Sequence, residues 1–130
     1  MVFEVTPIYA LPVAAITLVL WFRVSAMRSA TGISFGDGGN ADLLHRIRQH
    51  GNCAEWSAFV LILMILAEGM GTPSLWLHIS GALLVVGRLA HPFGLVPDNA
   101  GHPLRYVGNS SNLLAALNAM ICIAVQIFSA

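Results

Sequence analysis

Three strongly polar side chains stand at the head of a long apolar run in the middle of the chain. Arg48, Asn52 and Glu55 lie at offsets of zero, four and seven residues, so a helix presents them on one face. The apolar run at 56–67 is typical of a bilayer-spanning helix, where ionisable groups are costly. Their default interpretation is a functional site that faces the protein interior.

A second polar set follows on the next apolar segment. Arg88 and His91 are three residues apart and therefore share a helix face. The short turn at 69–72 makes the two segments an antiparallel hairpin, which places Glu55 level with Arg88 and Asn52 level with His91. The sequence thus predicts a buried ion pair between Glu55 and Arg88, because opposite charges at one depth lower the cost of burial.

These residues together predict a cationic cleft that opens toward the cytoplasm. Arg48 lies about 10 Å above Glu55 at the helical rise, and His45 and Arg105 lie near the same boundary. Such a cleft suits a small anion, because the planar fork of arginine binds carboxylates in bidentate fashion. The alternative, an ion pair that only fixes helix register, stays open for Glu55 and Arg88 alone. It does not explain the further donors and the second arginine.

The composition favours a membrane protein. Of the 130 residues, 57% are hydrophobic and 9% are charged, whereas soluble domains carry about 25% charged residues. All six basic residues are arginine and the net charge is near zero, so nucleic acid is not expected as a partner. Cys53 and Cys122 lie in apolar stretches and are interpreted as small apolar filler.

The chain is predicted to be one all-α domain over 1–130, an integral membrane four-helix bundle. Four apolar spans are predicted at about 6–23, 41–68, 73–91 and 105–129. The basic residues Arg23 and Arg28 follow the first apolar run, which predicts a retained anchor with an exported N-terminus. Because all six arginines lie toward the first and third loops, the positive-inside rule places these loops in the cytoplasm and both termini outside.

Two motifs make the chain similar to a known family. The stretch Arg48-Gln-His-Gly-Asn-Cys-Ala-Glu-Trp56 resembles the second-helix signature of the MAPEG family, the membrane-associated proteins in eicosanoid and glutathione metabolism. The stretch Gly87-Arg-Leu-Ala-His91 resembles its third-helix motif. The compact length is similar to the short bacterial branch. The resemblance implies a homotrimer in a bacterial inner membrane, with glutathione bound between neighbouring subunits on the cytoplasmic side.

The resemblance also implies roles for individual residues. Arg48, Asn52 and Glu55 would contact glutathione, with Arg88 in support. The predicted binding set is completed by His91, Trp56 and Arg28. Arg105 is the first candidate for activating the glutathione thiol and His102 is the second. No metal ligands are predicted.

The chain departs from the family pattern at several positions. Leu44-His45 stands where animal members carry a Glu-Arg pair, and Trp56 replaces the usual tyrosine. His91 and Leu95 replace tyrosines of the third helix. These departures concern thiol activation more than glutathione binding.

The expected function is that of a glutathione transferase or peroxidase. An activated thiolate would attack a lipophilic electrophile that arrives from the membrane lipid. Two alternatives stay open: a non-catalytic membrane scaffold or ligand sensor, and a small proton-coupled multidrug transporter. For a transporter, the membrane carboxylate should be free to titrate, whereas Glu55 is expected to be matched by Arg88. The sequence disfavours a haem-binding bundle, because the histidines cluster at one end instead of pairing across the core.

Overall fold

The computed structural model describes residues 3–129, and the fold is all-α as predicted. The chain forms four helices, which are α1 (Thr6–Thr31), α2 (Ala41–Gly69), α3 (Ser74–Gly94) and α4 (Pro103–Ser129). In this part of the chain α1, α2 and α4 are long and apolar enough to cross a membrane. The shorter α3 carries Arg88 and His91 and is not among the three, so its membrane crossing stays a prediction.

The helix bounds agree with the predicted spans to within a few residues, except at the end of α1. This helix continues past Arg23 to Thr31, because residues 24–31 contain neither glycine nor proline. Gly32 then ends it with a left-handed φ of 71°, and its N–H donates to the Arg28 carbonyl at 2.8 Å. The prediction of a span ending at residue 23 followed the position of the first charge, which does not end a helix.

The bundle buries both apolar and polar side chains, and its exterior is apolar. Helix α3 packs against each of the other three helices. The apolar core is a small cluster of residues from all four helices, including Val13, Val60, Leu84 and Ala115. Many large apolar side chains are exposed instead, among them Leu11 at 76% and Phe93 at 73%. An apolar exterior suits a lipid solvent and would be a liability in water.

Glycines allow α3 and α4 to approach closely. A Cβ added at Gly87 would lie 2.4 Å from Asn112 Oδ1, and one at Gly108 would lie 2.6 Å from the His91 Cβ. Small residues at a spacing of four along α4, namely Ser111, Ala115 and Ala119, are buried in this bundle. Close backbone approach through small residues is typical of helix packing in membranes. The close approach of α3 and α4 brings polar side chains of the two helices into direct contact.

At the end of the bundle where α1 begins, a side chain from α2 caps that helix. The Glu68 carboxylate accepts hydrogen bonds from the backbone N–H groups of Glu4, Val5 and Thr6 at 2.7, 2.7 and 2.8 Å. These groups lie at the start of α1, whose own N-cap residue provides no side-chain hydrogen bond. Glu68 therefore caps α1 from a neighbouring helix and compensates the positive end of its dipole.

Candidate functional site

A polar cleft of about 400 Å³ opens between α2, α4 and the segment that follows α3. We call it the polar cleft. It is lined by Ala41, Leu44, His45, Arg48, Asn52, His91, Leu95, Val96, Pro97, Arg105 and Asn109. Four of the nine predicted site residues therefore lie together, namely Arg48, Asn52, His91 and Arg105. Arg48 and Asn52 belong to the second-helix motif, His91 lies on α3, and Arg105 lies on α4.

Exposure changes from the mouth of the polar cleft to its floor. Arg48 is exposed, Asn52 and Arg105 are half-buried, and His91 is only 2% exposed. The His91 Nδ1 atom is buried and has no hydrogen-bond partner among the described residues. The lining contains two guanidinium groups and no acidic residue. The polar cleft is therefore suited to an anionic ligand with a buried polar end.

Arg88 lies behind the polar cleft and holds Asn52 in place. Its side chain is fully buried at 0% exposure. Nη1 donates to the Asn52 carbonyl at 3.1 Å and to Asn52 Oδ1 at 3.0 Å, and Nε donates to Asn112 Oδ1 at 3.1 Å. Because Oδ1 of Asn52 is thus an acceptor, its Nδ2 remains a donor for a ligand in the cleft. Arg88 therefore contacts Asn52, one of the residues that the family resemblance implies as a glutathione contact.

The predicted ion pair between Glu55 and Arg88 is wrong. Within residues 3–129 the Arg88 guanidinium has only amide and carbonyl hydrogen-bond partners, and Glu55 is exposed on the outer face of α2. The contact to Arg88 comes from Asn52, one helical turn before Glu55. Three residues rotate a helix by about 300°, so Glu55 is displaced by about 60° around α2 from the direction in which Asn52 meets α3.

Glu55 lies in a separate shallow groove on this outer face. The groove is formed with Trp56 and Phe59, whose rings are 6.2 Å apart in an edge-to-face arrangement. The Glu55 carboxylate folds back toward Gly51, where a Cβ would be 4.0 Å from Oε1. The predicted binding residues Glu55 and Trp56 are therefore adjacent to each other but outside the polar cleft.

Two further predicted residues lie elsewhere and have local contacts. Arg28 closes the first loop, because its Nη1 donates to the carbonyls of Ile33 at 3.1 Å and Gly36 at 3.0 Å. His102 precedes α4, and its Nδ1 accepts a hydrogen bond from the Leu104 N–H at 3.2 Å. His102 is not part of the lining of the polar cleft. Of the two predicted catalytic residues, only Arg105 lines it.

Sequence reasoning missed three residues that shape the site. Asn109 lines the polar cleft, and Asn112 holds Arg88 from the same helix, three residues further on. Gln49 is buried between helices, where its Nε2 donates to the Pro92 carbonyl at 2.6 Å. The signal was present for the asparagines, which are polar residues at helical spacing on an apolar segment.

Comparison with known proteins extends these observations to the level of a family. The sequence model of the MAPEG family matches residues 6–125. Two curated relatives, both named inner membrane protein YecN, come from Escherichia coli strain K12 and from Escherichia coli O6:H1 strain CFT073. Each is 34% identical over 90 residues, which cover 69% of this chain and 69% of the relative. No solved structure matches the chain.

Proposed function

Because this chain belongs to the MAPEG family, a family of membrane proteins, we propose that it binds glutathione in the polar cleft. We further propose that it transfers the glutathione thiolate to lipophilic electrophiles. The observation that carries the proposal is the lining of the polar cleft, which has two arginines, two asparagines and a buried histidine but no acidic residue. The name of the Escherichia coli relative supports placement in a bacterial inner membrane.

The chemistry of glutathione fits this lining group by group. The tripeptide carries two carboxylates, which Arg48 at the mouth and Arg105 on α4 can bind by charge-assisted hydrogen bonds. Its amide groups can pair with the Asn52 Nδ2 donor and with the Asn109 side chain. A volume of about 400 Å³ lies within the range of small-molecule sites. The unpartnered Nδ1 of His91 offers one more polar contact at the floor.

The ammonium group of glutathione needs a carboxylate that the polar cleft does not contain. Glu55 follows Asn52 by three residues on the same helix, and it faces outward beside Trp56. An exposed carboxylate on an apolar helix is costly in lipid, so an adjoining subunit that covers it would lower this cost. We therefore propose the homotrimer, with Glu55 of one subunit completing the site of its neighbour.

The proposed reaction requires the thiolate, because a thiol is a weak nucleophile. A free thiol has a pKa of about 8.5, and a neighbouring cation lowers it. Arg105 can stabilise the thiolate electrostatically while the proton leaves through the open mouth of the polar cleft. The sulfur lone pair then forms a bond to the electrophilic carbon, and the leaving group departs with its bonding electrons. With a hydroperoxide, two glutathione molecules would yield the disulfide, an alcohol and water.

Two specific observations favour other functions. Glu55 is an exposed carboxylate that Arg88 does not neutralise, so the expected objection to a proton-coupled transporter no longer holds. Substrate-driven proton flux into vesicles that is lost in Glu55→Gln would favour the transporter. His102 accepts a hydrogen bond from the Leu104 N–H and lies outside the polar cleft. Arg105 is therefore the single predicted activating residue that lines the cleft. Glutathione binding without turnover of any conjugating substrate would favour a scaffold or ligand sensor.

Titration calorimetry with glutathione tests the proposed site directly. In the detergent-solubilised protein, Arg48→Ala should weaken binding about tenfold, the loss expected for one charge-assisted contact. Arg46→Ala is the matched control, because Arg46 lies on the same helix and donates to the Arg23 carbonyl outside the polar cleft. Absence of binding in the unaltered protein, or equal affinities in both variants, would contradict the site.

The same titration separates the role of Glu55 from that of the polar cleft. Glu55→Gln keeps the shape of the side chain but removes its charge, so it should weaken binding if Glu55 holds the ammonium group. An unchanged affinity would remove Glu55 from the site and leave the cleft intact.

A further inference from the structure

A separate cavity of about 460 Å³ lies at the end of the bundle where α3 begins and α4 ends, and it shares no lining residue with the polar cleft. We call it the α3–α4 pocket. Trp76 of α3 and Ile121 and Val125 of α4 give it aromatic and aliphatic walls. Within residues 3–129 no charged side chain lines it. The α3–α4 pocket is therefore suited to an uncharged ligand with an apolar body.

Thr72 provides an unused hydroxyl group in this pocket. The residue precedes α3, lines the α3–α4 pocket and is only 7% exposed. Its Oγ1 atom is buried and has no hydrogen-bond partner among the described residues. A buried hydroxyl group that forms no hydrogen bond is destabilising, so a ligand atom that pairs with it would be favoured.

Asn118 adds an acceptor to the α3–α4 pocket, and its neighbours fix the orientation of its amide group. Its Nδ2 donates to the Trp76 carbonyl and to Ser80 Oγ, both at 2.8 Å. The Ser80 hydroxyl donates to the Ala115 carbonyl at 3.1 Å, so toward Asn118 it acts as an acceptor. Both Nδ2 hydrogens are therefore used, and Oδ1 is the polar atom that Asn118 can offer to a ligand.

We propose that the α3–α4 pocket binds a neutral phenol, whose hydroxyl group pairs with Thr72 and Asn118 while its ring packs against Trp76. A phenolic hydroxyl is both a donor and an acceptor, so it can donate to Asn118 Oδ1 and accept from the Thr72 hydroxyl. Aromatic rings attract one another in stacked or edge-to-face arrangements, which favours a phenol over an aliphatic alcohol beside the indole. The uncharged lining disfavours an anion, and the two polar groups disfavour a plain hydrocarbon. This binding site is distinct from the proposed glutathione site and does not depend on it.

Photolabelling with a phenol tests the occupant of the pocket. The full chain in nonionic detergent is irradiated with 4-hydroxybenzophenone, digested, and analysed by mass spectrometry. A mildly acidic buffer keeps the phenol uncharged. Saturable labelling is expected within residues 72–76 and 118–125. The competitor 4-phenylphenol should reduce this labelling, whereas 4-fluorobiphenyl, which has nearly the same shape but no hydroxyl group, should have little effect.

Matched variants connect the labelling to Thr72 and to this cavity. Thr72→Val removes the hydroxyl at nearly constant volume and should raise the half-saturating concentration about fivefold, while Thr72→Ser should retain most of the affinity. Thr17→Val is the control, because the Thr17 hydroxyl donates to the Val13 carbonyl of its own helix outside the pocket. Val125→Trp fills the pocket and should abolish labelling, whereas Ile127→Trp, at an exposed position of the same helix outside the pocket, should not.

Three outcomes would overturn the proposal. Equal competition by 4-phenylphenol and 4-fluorobiphenyl would show that the pocket does not select a hydroxyl group. An unchanged half-saturating concentration in Thr72→Val would remove this side chain from the site. Efficient disulfide cross-linking of Val125→Cys between subunits, with Cys53 and Cys122 replaced by alanine, would show that a second copy of the chain covers the pocket.

Discussion

At the scale of single residues, the unusual feature is a buried cation with uncharged partners. Arg88 donates to side-chain or backbone oxygens of Asn52 and Asn112 and forms no ion pair within residues 3–129. Amide oxygens recover only part of the hydration that a guanidinium loses on burial. In return, the hydrogen bonds fix the orientation of Asn52 at the edge of the polar cleft. Arg88 thus orients Asn52 without itself lining the polar cleft.

The residue that we expect to act on the bound thiol is Arg105. If its charge lowers the thiol pKa by about two units, it contributes roughly 2.7 kcal/mol to thiolate formation. At saturating glutathione and pH 7, Arg105→Gln should then reduce the bound thiolate to a few per cent, as measured by ultraviolet absorbance. Arg48→Gln is the control, because it should weaken binding but keep the thiolate once the site is saturated. An unchanged thiolate yield in Arg105→Gln would remove Arg105 from the mechanism.

At the scale of helices, contacts between distant segments determine where each helix begins and how closely it packs. Glu68 of α2 caps the first turn of α1 across the bundle. Gly87 lets α4 approach α3, since any Cβ there would lie 2.4 Å from Asn112 Oδ1. The glycine before Arg88 in the third-helix motif therefore makes room for the asparagine that holds this arginine.

The cap of α1 gives a prediction about stability. Glu68→Gln removes the negative charge and leaves one good acceptor for three N–H groups, so it should lower the free energy of unfolding by about 1–2 kcal/mol. Denaturation with SDS measures this loss, and amide hydrogen exchange at residues 4–8 should become faster. Glu4→Gln keeps its backbone N–H in the cap and should change neither quantity. Equal exchange in both variants would show that the carboxylate does not stabilise the helix start.

At the scale of the whole molecule, charge is distributed unevenly between the two ends of the bundle. The arginines lie toward the first and third loops, and the opposite end carries Glu4 and Glu68. Positively charged loops are retained on the cytoplasmic side of a membrane. The mouth of the polar cleft, at Arg48, would then face the cytoplasm.

This orientation can be tested with single cysteines in bacterial spheroplasts. With Cys53 and Cys122 replaced by alanine, Ser129→Cys should react with a membrane-impermeant maleimide in intact spheroplasts. Ser34→Cys in the first loop should react only after the membrane is permeabilised. Both positions are exposed, so accessibility to the reagent depends on the membrane alone. The reverse labelling pattern would place the arginine-rich end outside.

The sequence alone determined the four helices and the family, and it indicated four of the residues that line the polar cleft. Apolar runs of sufficient length and the short turns between them are local properties, and they gave helix bounds that hold except at the end of α1. The spacing of Arg48 and Asn52 placed both on one face of α2, and both line the polar cleft.

The tertiary structure alone decided which residue meets Arg88. The hairpin predicts approximate depth, but it does not fix the rotation of α2 and α3 about their own axes. Close packing at Gly87 and Gly108 fixes how α3 faces α4 and brings Asn112 to Arg88, and the packing of α2 leaves Glu55 outside. Asn52 and Glu55 are three residues apart and therefore about 60° apart around α2, so a modest rotation of this helix selects between them as partners of the same arginine.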